Sequence, residues 1–176
     1  RRQFAIPNCS GDRARKDPHS TFDHSLQTLE NALDVAVAVN CKQFIYLSSS
    51  TVYGNFPSPV VDEETPSAPI GTYGSLKVAG ELMVKAYRHD RGLNYTIIRP
   101  QALYGARCVS GRVTQIFIEN ALFGQPLTIA GDGSARHDFT YIDDLVRGVV
   151  CVIGNPNAIN QTFCMTAGEA RSLMEL

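Results

Sequence analysis

The run FIYLSSSTVYG, Phe44 to Gly54, decides the fold. Gln43-Phe44-Ile45-Tyr46-Leu47 is short and nearly continuously apolar, which suits a strand buried on both faces of a parallel sheet. Four hydroxyl residues follow at once, Ser48, Ser49, Ser50 and Thr51. At the carboxyl end of a central strand they stand where an α/β sheet binds ligand, ready to hydrogen-bond a reacting oxygen. On local grounds the same run also reads as a serine-rich turn.

Upstream, Phe22, Leu26, Leu29, Leu33, Ala36 and Val37 recur at three and four, one face of an amphipathic helix over Thr21 to Val39. Downstream, Leu76, Ala79, Gly80, Met83, Val84 and Tyr87 share a face of a second helix, Tyr73 to His89, which Arg91-Gly92 stops. Tyr95 to Ile98 is the next strand. A third helix covers Val113 to Phe123, ended by Gly124 and Pro126; Leu127 to Ala130 and Asp138 to Tyr141 read as short strands, Asp143 to Ile153 as a fourth helix, and Thr162 to Met165 as a last strand. Alternation of this kind predicts an α/β, Rossmann-like, doubly wound and mostly parallel sheet with ligands at the carboxyl strand ends.

The chain has 176 residues, 44% of them apolar, enough for one domain with a real core. Sixteen basic and 17 acidic residues give a net charge of -1 without long runs of either sign, so no nucleic-acid footprint is expected. No apolar run is long enough for a membrane span. The five cysteines form no CxxC pair and imply neither metal nor disulfide chemistry, so a reduced, cytoplasmic setting is expected. Cys41 and Cys151 lie in apolar stretches and are expected as buried thiols. Residues 1–20 are polar and read as an irregular lead-in; Arg1-Arg2 resembles a twin-arginine export signal but lacks the apolar stretch that should follow. No initiator Met is present and Glu175-Leu176 stops within a helix-like pattern, so a truncated domain is expected.

Tyr73 and Lys77 are four apart on the second helix, and their side chains therefore project from one face. A phenol is a poor base near neutrality, but an adjacent ammonium favours the phenolate and makes tyrosine usable as a general base. The spacing alone fits equally a half-buried tyrosine beside a solvated lysine.

Four blocks carry a resemblance. FIYLSSSTVYG, TYGSLKVAGE (Thr72 to Glu81), IIRPQALYGAR (Ile97 to Arg107) and GDGSARHDFTYIDD (Gly131 to Asp144) together resemble the NAD-dependent epimerase/dehydratase family of extended short-chain dehydrogenases/reductases, with UDP-glucose and UDP-galactose 4-epimerase-like members nearest. The resemblance implies Ser49, Tyr73 and Lys77 as the catalytic set. Tyr73 is the base, Lys77 holds the nicotinamide ribose and acidifies the phenol, and Ser49 steers the oxygen. It implies a cofactor, NAD with NADP left open, against Leu47, Ser48, Tyr73, Lys77 and Pro100, and a nucleotide sugar against Ser49, Ser50, Thr51, Ala102, Arg136 and His137. Residues 21–110 become a partial NAD(P)-binding Rossmann domain and 111–176 a partial substrate-binding region interleaved with its sheet. Relatives commonly pair through the helices before Gln43 and from Tyr73, which implies a homodimer.

Departures from the family pattern keep alternatives open. Dehydratases and decarboxylases place an acid after the catalytic hydroxyl, where Ser50 and Thr51 cannot ionise near neutrality. Ala102 stands where the family usually has a phosphate-holding Asn. His137 stands where it has an Arg, and Arg136 is displaced by one. The family's glycine-rich phosphate loop is absent, so half the cofactor site is expected to be missing and the central strand to have an uncovered flank. A 4-epimerase that abstracts and returns a hydride is expected. A 3β-hydroxysteroid-dehydrogenase-like oxidoreductase on a nonsugar alcohol, or a noncatalytic metabolite-binding relative, competes with it.

Overall fold

Asp17 opens the first helix, its carboxylate accepting the Ser20 N–H at 3.0 Å, the role that places Asp at helix starts. The structure, a computed structural model, describes residues 16–176 apart from 57, 59, 109, 110 and 130. Expectations for 1–15, including Arg1-Arg2, Cys9 and most of the irregular lead-in, lie outside the described residues. The rest of that lead-in is corrected, because helix α1 already runs over Pro18–Phe22. It continues through a π-helical turn, Asp23–Gln27, into α2, Thr28–Ala38. A π turn holds one residue more than an α turn and so rotates the buried face. Thr21 is therefore buried, while Phe22, assigned inward by the 3.6-residue pattern, is 52% exposed.

Two compact units divide the chain, Arg1–Arg99 with Cys151–Cys164, and Pro100–Val150 with Met165–Leu176. In the first, β1 (Phe44–Leu47) runs parallel to β2 (Tyr95–Pro100), with Phe44 opposite Tyr95 and Leu47 opposite Ile98. Helix α3, Thr72–Arg91, makes the crossover and ends on Gly92, whose left-handed φ of 71° lets its N–H reach the Tyr87 and Arg88 carbonyls. With β4, Gln161–Met165, the strand order is β1-β2-β4. Leu29, Leu33, Ala36, Phe44, Tyr46, Val84, Leu93 and Ile97 form the core.

The expectation that β1 is buried on both faces is corrected. Phe44 and Tyr46 are buried but Leu47 is 43% exposed, and β1 stands at one end of the strand order among the described residues. Side chains alternate across a strand, so covering one face leaves the other half-open.

The second unit holds α4, Val113–Leu122, and a two-stranded antiparallel sheet of β3, Arg136–Asp138, and β5, Ala170–Ser172. Helix α5, Ile142–Val152, begins there. Three expectations change. Residues 127–129 form no strand; Leu127 is exposed and Ile129 half-buried. Strand β3 ends rather than begins at Asp138, because the buried carboxylate receives the Ala167 and Gly168 N–H groups, each at 2.8 Å. The tail, read as helix-like, supplies β5 instead. Cys151 is exposed and Cys41 only half-buried. Among the described residues no helix is long and apolar enough to cross a membrane.

Candidate active site

Ser49 is the second residue beyond β1 and caps a 3-10 turn, Ser50–Tyr53, in which Val52 and Tyr53 are buried. Its backbone is extended, with φ -162° and ψ 152°. Its Oγ accepts the Thr51 N–H at 3.2 Å and the Thr51 hydroxyl at 3.0 Å. Ser48 is turned the other way. Buried, it donates its hydroxyl to Glu81 at 2.5 Å, so this residue, expected at the cofactor, presents its side chain to the interior.

Helix α3 begins against this turn. A Cβ on Gly74 would meet the Thr51 carbonyl oxygen at 2.6 Å and the Pro69 Cβ at 3.1 Å, so glycine permits the approach. Tyr73 precedes it and is half-buried. One turn on, the Lys77 ammonium donates to the Leu47 carbonyl at 2.8 Å and lies 5.7 Å from the centre of the Tyr73 ring and 5.2 Å from that of Tyr46. Cations within about 6 Å of an aromatic centre are attracted to its face. Leu47, Ser49, Tyr73 and Lys77 are thus gathered at the carboxyl end of β1, where parallel sheets offer ligands their strand ends.

Behind them lies a buried network that the sequence reading left without roles. Arg99 Nε and Nη2 donate to Glu81 Oε1 at 2.9 Å and Oε2 at 2.7 Å, and Nη1 donates to the Tyr53 hydroxyl at 2.7 Å. That hydroxyl donates to the Asp62 carbonyl at 2.7 Å and contacts Cys164 Sγ at 3.0 Å. Burial and the Cys164 contact push the Tyr53 phenol well above its ordinary range, against a smaller opposing pull from Arg99. Burial also works against the Arg99 charge, but its bonds to Glu81 and Tyr53 outweigh that and keep it firmly protonated. The signal was present: Glu81 lies four residues beyond Lys77 among Leu76, Gly80 and Val84, and a carboxylate on an apolar face needs a buried partner.

Pro100, Ala102, Arg136 and His137 belong to the second unit. Pro100 ends β2 and is half-buried. Ala102 has φ +40°, in the left-handed region. Arg136 donates to the Ala170 carbonyl and lies 3.5 Å from Glu175. His137, its neighbour on β3, points to the opposite face, with its ring 5.8 Å from that of Phe139. An arginine shifted by one place along a strand therefore does not replace one at 137. Arg171 stands opposite His137 in the register and shares its face. Among the described residues no cluster of side chains could hold a metal ion.

The fold defines an α/β protein of the Rossmann class, with a lysine held at the end of a parallel strand, a tyrosine ring beside it and a serine two residues beyond that strand. The sequence profile of the NAD dependent epimerase/dehydratase family matches residues 3–165, and the chain belongs to that family. An uncharacterised UDP-glucose epimerase of Bacillus subtilis strain 168 is 32% identical over 158 residues, 90% of this chain and 50% of that protein. A UDP-glucose 4-epimerase of Mycolicibacterium smegmatis is 35% identical over 132 residues, 73% of this chain and 42% of that one. The crystal structure of UDP-glucuronic acid 4-epimerase from Bacillus cereus, in complex with UDP-glucuronic acid and NAD, superposes with a TM-score of 0.88 at 30% identity, over 97% of this chain and 54% of that one. The chain spans half or less of the length of these curated relatives.

Proposed function

We propose that this chain carries the catalytic centre of an NAD-dependent 4-epimerase acting on a nucleotide sugar. The observation that carries the reading is the Lys77 ammonium, held on the Leu47 carbonyl at 2.8 Å and set 5.7 Å from the Tyr73 ring centre, beside the strand end that bears Ser49. Tyr73 takes the proton of the reacting sugar hydroxyl, Ser49 hydrogen-bonds the same oxygen, and the Lys77 charge stabilises the phenolate that Tyr73 must present.

The donor set fits the nicotinamide end of NAD: an ammonium with three donors and a phenol, both at the carboxyl end of a parallel strand, suit the hydroxyls of a ribose. Lys77, Tyr73 and the backbone of Leu47 and Ser48 would hold it. The chemistry NAD supplies when bound is reversible acceptance of hydride from the sugar carbon. Ser50 and Thr51 offer no ionisable acid for elimination, which favours epimerisation over dehydration. Residues 21–110 serve the cofactor and catalysis, and 111–176 the substrate. Pairing of two copies is assigned to α2 and α3, whose Val35, Val39 and Leu82 are exposed in and beside these helices.

A second reading, oxidoreduction of a nonsugar alcohol, draws on Ala102 and on the opposed directions of Arg136 and His137, which leave imidazole where a forked cation suits pyrophosphate better. Incubating the full chain with NAD and UDP-glucose or UDP-glucuronic acid separates the two. The 4-epimer forms without accumulation of reduced nicotinamide on the first reading, and reduced nicotinamide accumulates with a nonsugar alcohol on the second. Tyr73→Phe lowers kcat by at least about a hundredfold on either; equal rates in both proteins remove Tyr73 as the base.

A further inference from the structure

We infer that Thr51 is a positioning residue that makes the Ser49 hydroxyl a one-way hydrogen-bond donor, so that the site matches the carbonyl state of the reacting carbon. The inference rests on the function proposed above and assigns the direction of its proton transfer.

A serine hydroxyl has one proton to give and two sites at which to accept. At Ser49 both accepting contacts come from a single residue, the Thr51 N–H at 3.2 Å and the Thr51 Oγ1 at 3.0 Å. Helix capping explains the first, since an N-cap serine ordinarily receives an N–H of the first turn. It does not call for the second. Thr51 is exposed, and the one proton of its hydroxyl is directed at Ser49. With both accepting sites filled, Ser49 has only its own O–H left to offer.

The consequence is chemical. A sugar hydroxyl that must release its proton finds no acceptor at Ser49 and gives it to Tyr73. The sugar O–H bond breaks and that hydrogen bonds to the phenolic oxygen; the electron pair left on the sugar oxygen forms the second carbon–oxygen bond as the carbon's own hydrogen would leave with its bonding pair to bound NAD, which is thereby reduced. The resulting carbonyl oxygen only accepts, and it faces two donors, the Ser49 O–H and the newly protonated Tyr73. Both donors are thus best matched after the proton has moved, which is where binding accelerates a step. Without Thr51 Oγ1 the Ser49 hydroxyl can turn and accept the substrate proton in an unproductive bond.

The test uses the full chain with NAD and UDP-glucuronic acid or UDP-glucose. Thr51→Val removes the hydroxyl but keeps the branched shape, and Thr51→Ser keeps the hydroxyl. Thr51→Val is expected to lower kcat about tenfold, the worth of one hydrogen bond, with KM within about twofold, and Thr51→Ser to restore kcat. A Thr51→Val enzyme with unchanged kcat overturns the inference, as does an equal loss in both variants. Ser49→Ala separates this from the function itself: if it lowers kcat while Thr51→Val does not, the epimerase reading stands and the role of Thr51 falls. Amide exchange gives a readout independent of turnover. The Thr51 N–H is expected to exchange about tenfold faster in Ser49→Ala, and an unchanged rate refutes the contact whatever the activity.

Discussion

Glu81 and Arg99 form a buried two-pronged ion pair that fastens helix α3 to strand β2 one turn beyond the proposed catalytic lysine. Both side chains are almost wholly enclosed, and Glu81 also takes the Ser48 hydroxyl from the end of β1. Removing two charges from water largely offsets what their attraction returns, so the pair registers three elements more than it adds stability. Breaking it is different, because the surviving charge is left enclosed. Glu81→Gln is expected to lower unfolding stability by about 3–5 kcal/mol, a large part of the total for a domain. Replacing both partners, Glu81→Met with Arg99→Met, recovers most of that loss. Urea denaturation of the two variants beside the parent measures it.

The Tyr53 phenol gives a pH signature. Burial raises its pKa first, the Cys164 contact adds to the rise, and Arg99 opposes it. The folded state therefore holds this proton more tightly than the unfolded chain, whose phenol titrates near 10.0. Its contribution is complete below pH 10 and is lost as pH rises beyond it, where the unfolded chain ionises first. Stability of the parent is expected to fall above pH 10 with a slope of up to about 1.4 kcal/mol per pH unit from this group. Tyr53→Phe, though less stable throughout for want of the Arg99 and Asp62 contacts, shows a shallower alkaline slope in urea titrations between pH 9 and 11. Equal slopes would remove Tyr53 as the source.

How legible these features were depends on whether the cause is local. The β1-α3-β2 unit could be read because an apolar run, a 3.6-residue stripe and the stop at Gly92 each act within a few residues. The phase of α1 and α2 could not. One extra residue in the π turn moves burial from Phe22 to Thr21, and no periodicity count contains that turn. Strand β5 was missed because three residues depend on pairing with β3 across the chain. At the site, Ser49, Tyr73 and Lys77 were nameable from spacing and resemblance. The inward turn of Ser48 and the Arg99–Tyr53 bond were not, since both arise from partners tens of residues distant. The shift of Arg136 past His137 was visible in the sequence, but that it reverses the face becomes clear only once both lie on a strand.

Ala102 is held at φ +40°, a region where an L residue with a Cβ is strained and asparagine is tolerated better. Ala102→Asn is expected to stabilise the chain by up to about 1 kcal/mol, read as a higher urea midpoint. A lower midpoint would mean that the longer side chain meets an obstacle the backbone does not reveal.

At Gly80, α3 packs directly against the core residues Tyr46 and Leu29. A Cβ there would run into the Tyr46 hydroxyl, come within 2.7 Å of the Tyr46 Cζ and lie 3.1 Å from Leu29 Cδ2. Alanine in a helix interior is otherwise worth about 1 kcal/mol over glycine, so the sign of Gly80→Ala depends on whether Tyr46 can yield. It is 6% exposed, and its ring also lies 5.2 Å from the Lys77 ammonium. Overpacking a closed core costs about 1–3 kcal/mol, which exceeds the propensity gain. Gly80→Ala is therefore expected to destabilise by up to about 2 kcal/mol. By pushing the Tyr46 ring against Lys77 it should also lower kcat more than a surface change of equal stability does. Gly80→Ala with Tyr46→Phe, which removes the atom of closest conflict, should recover part of both losses. If the double variant is no better than the single one, the packing of Gly80 against Tyr46 is not what positions the lysine.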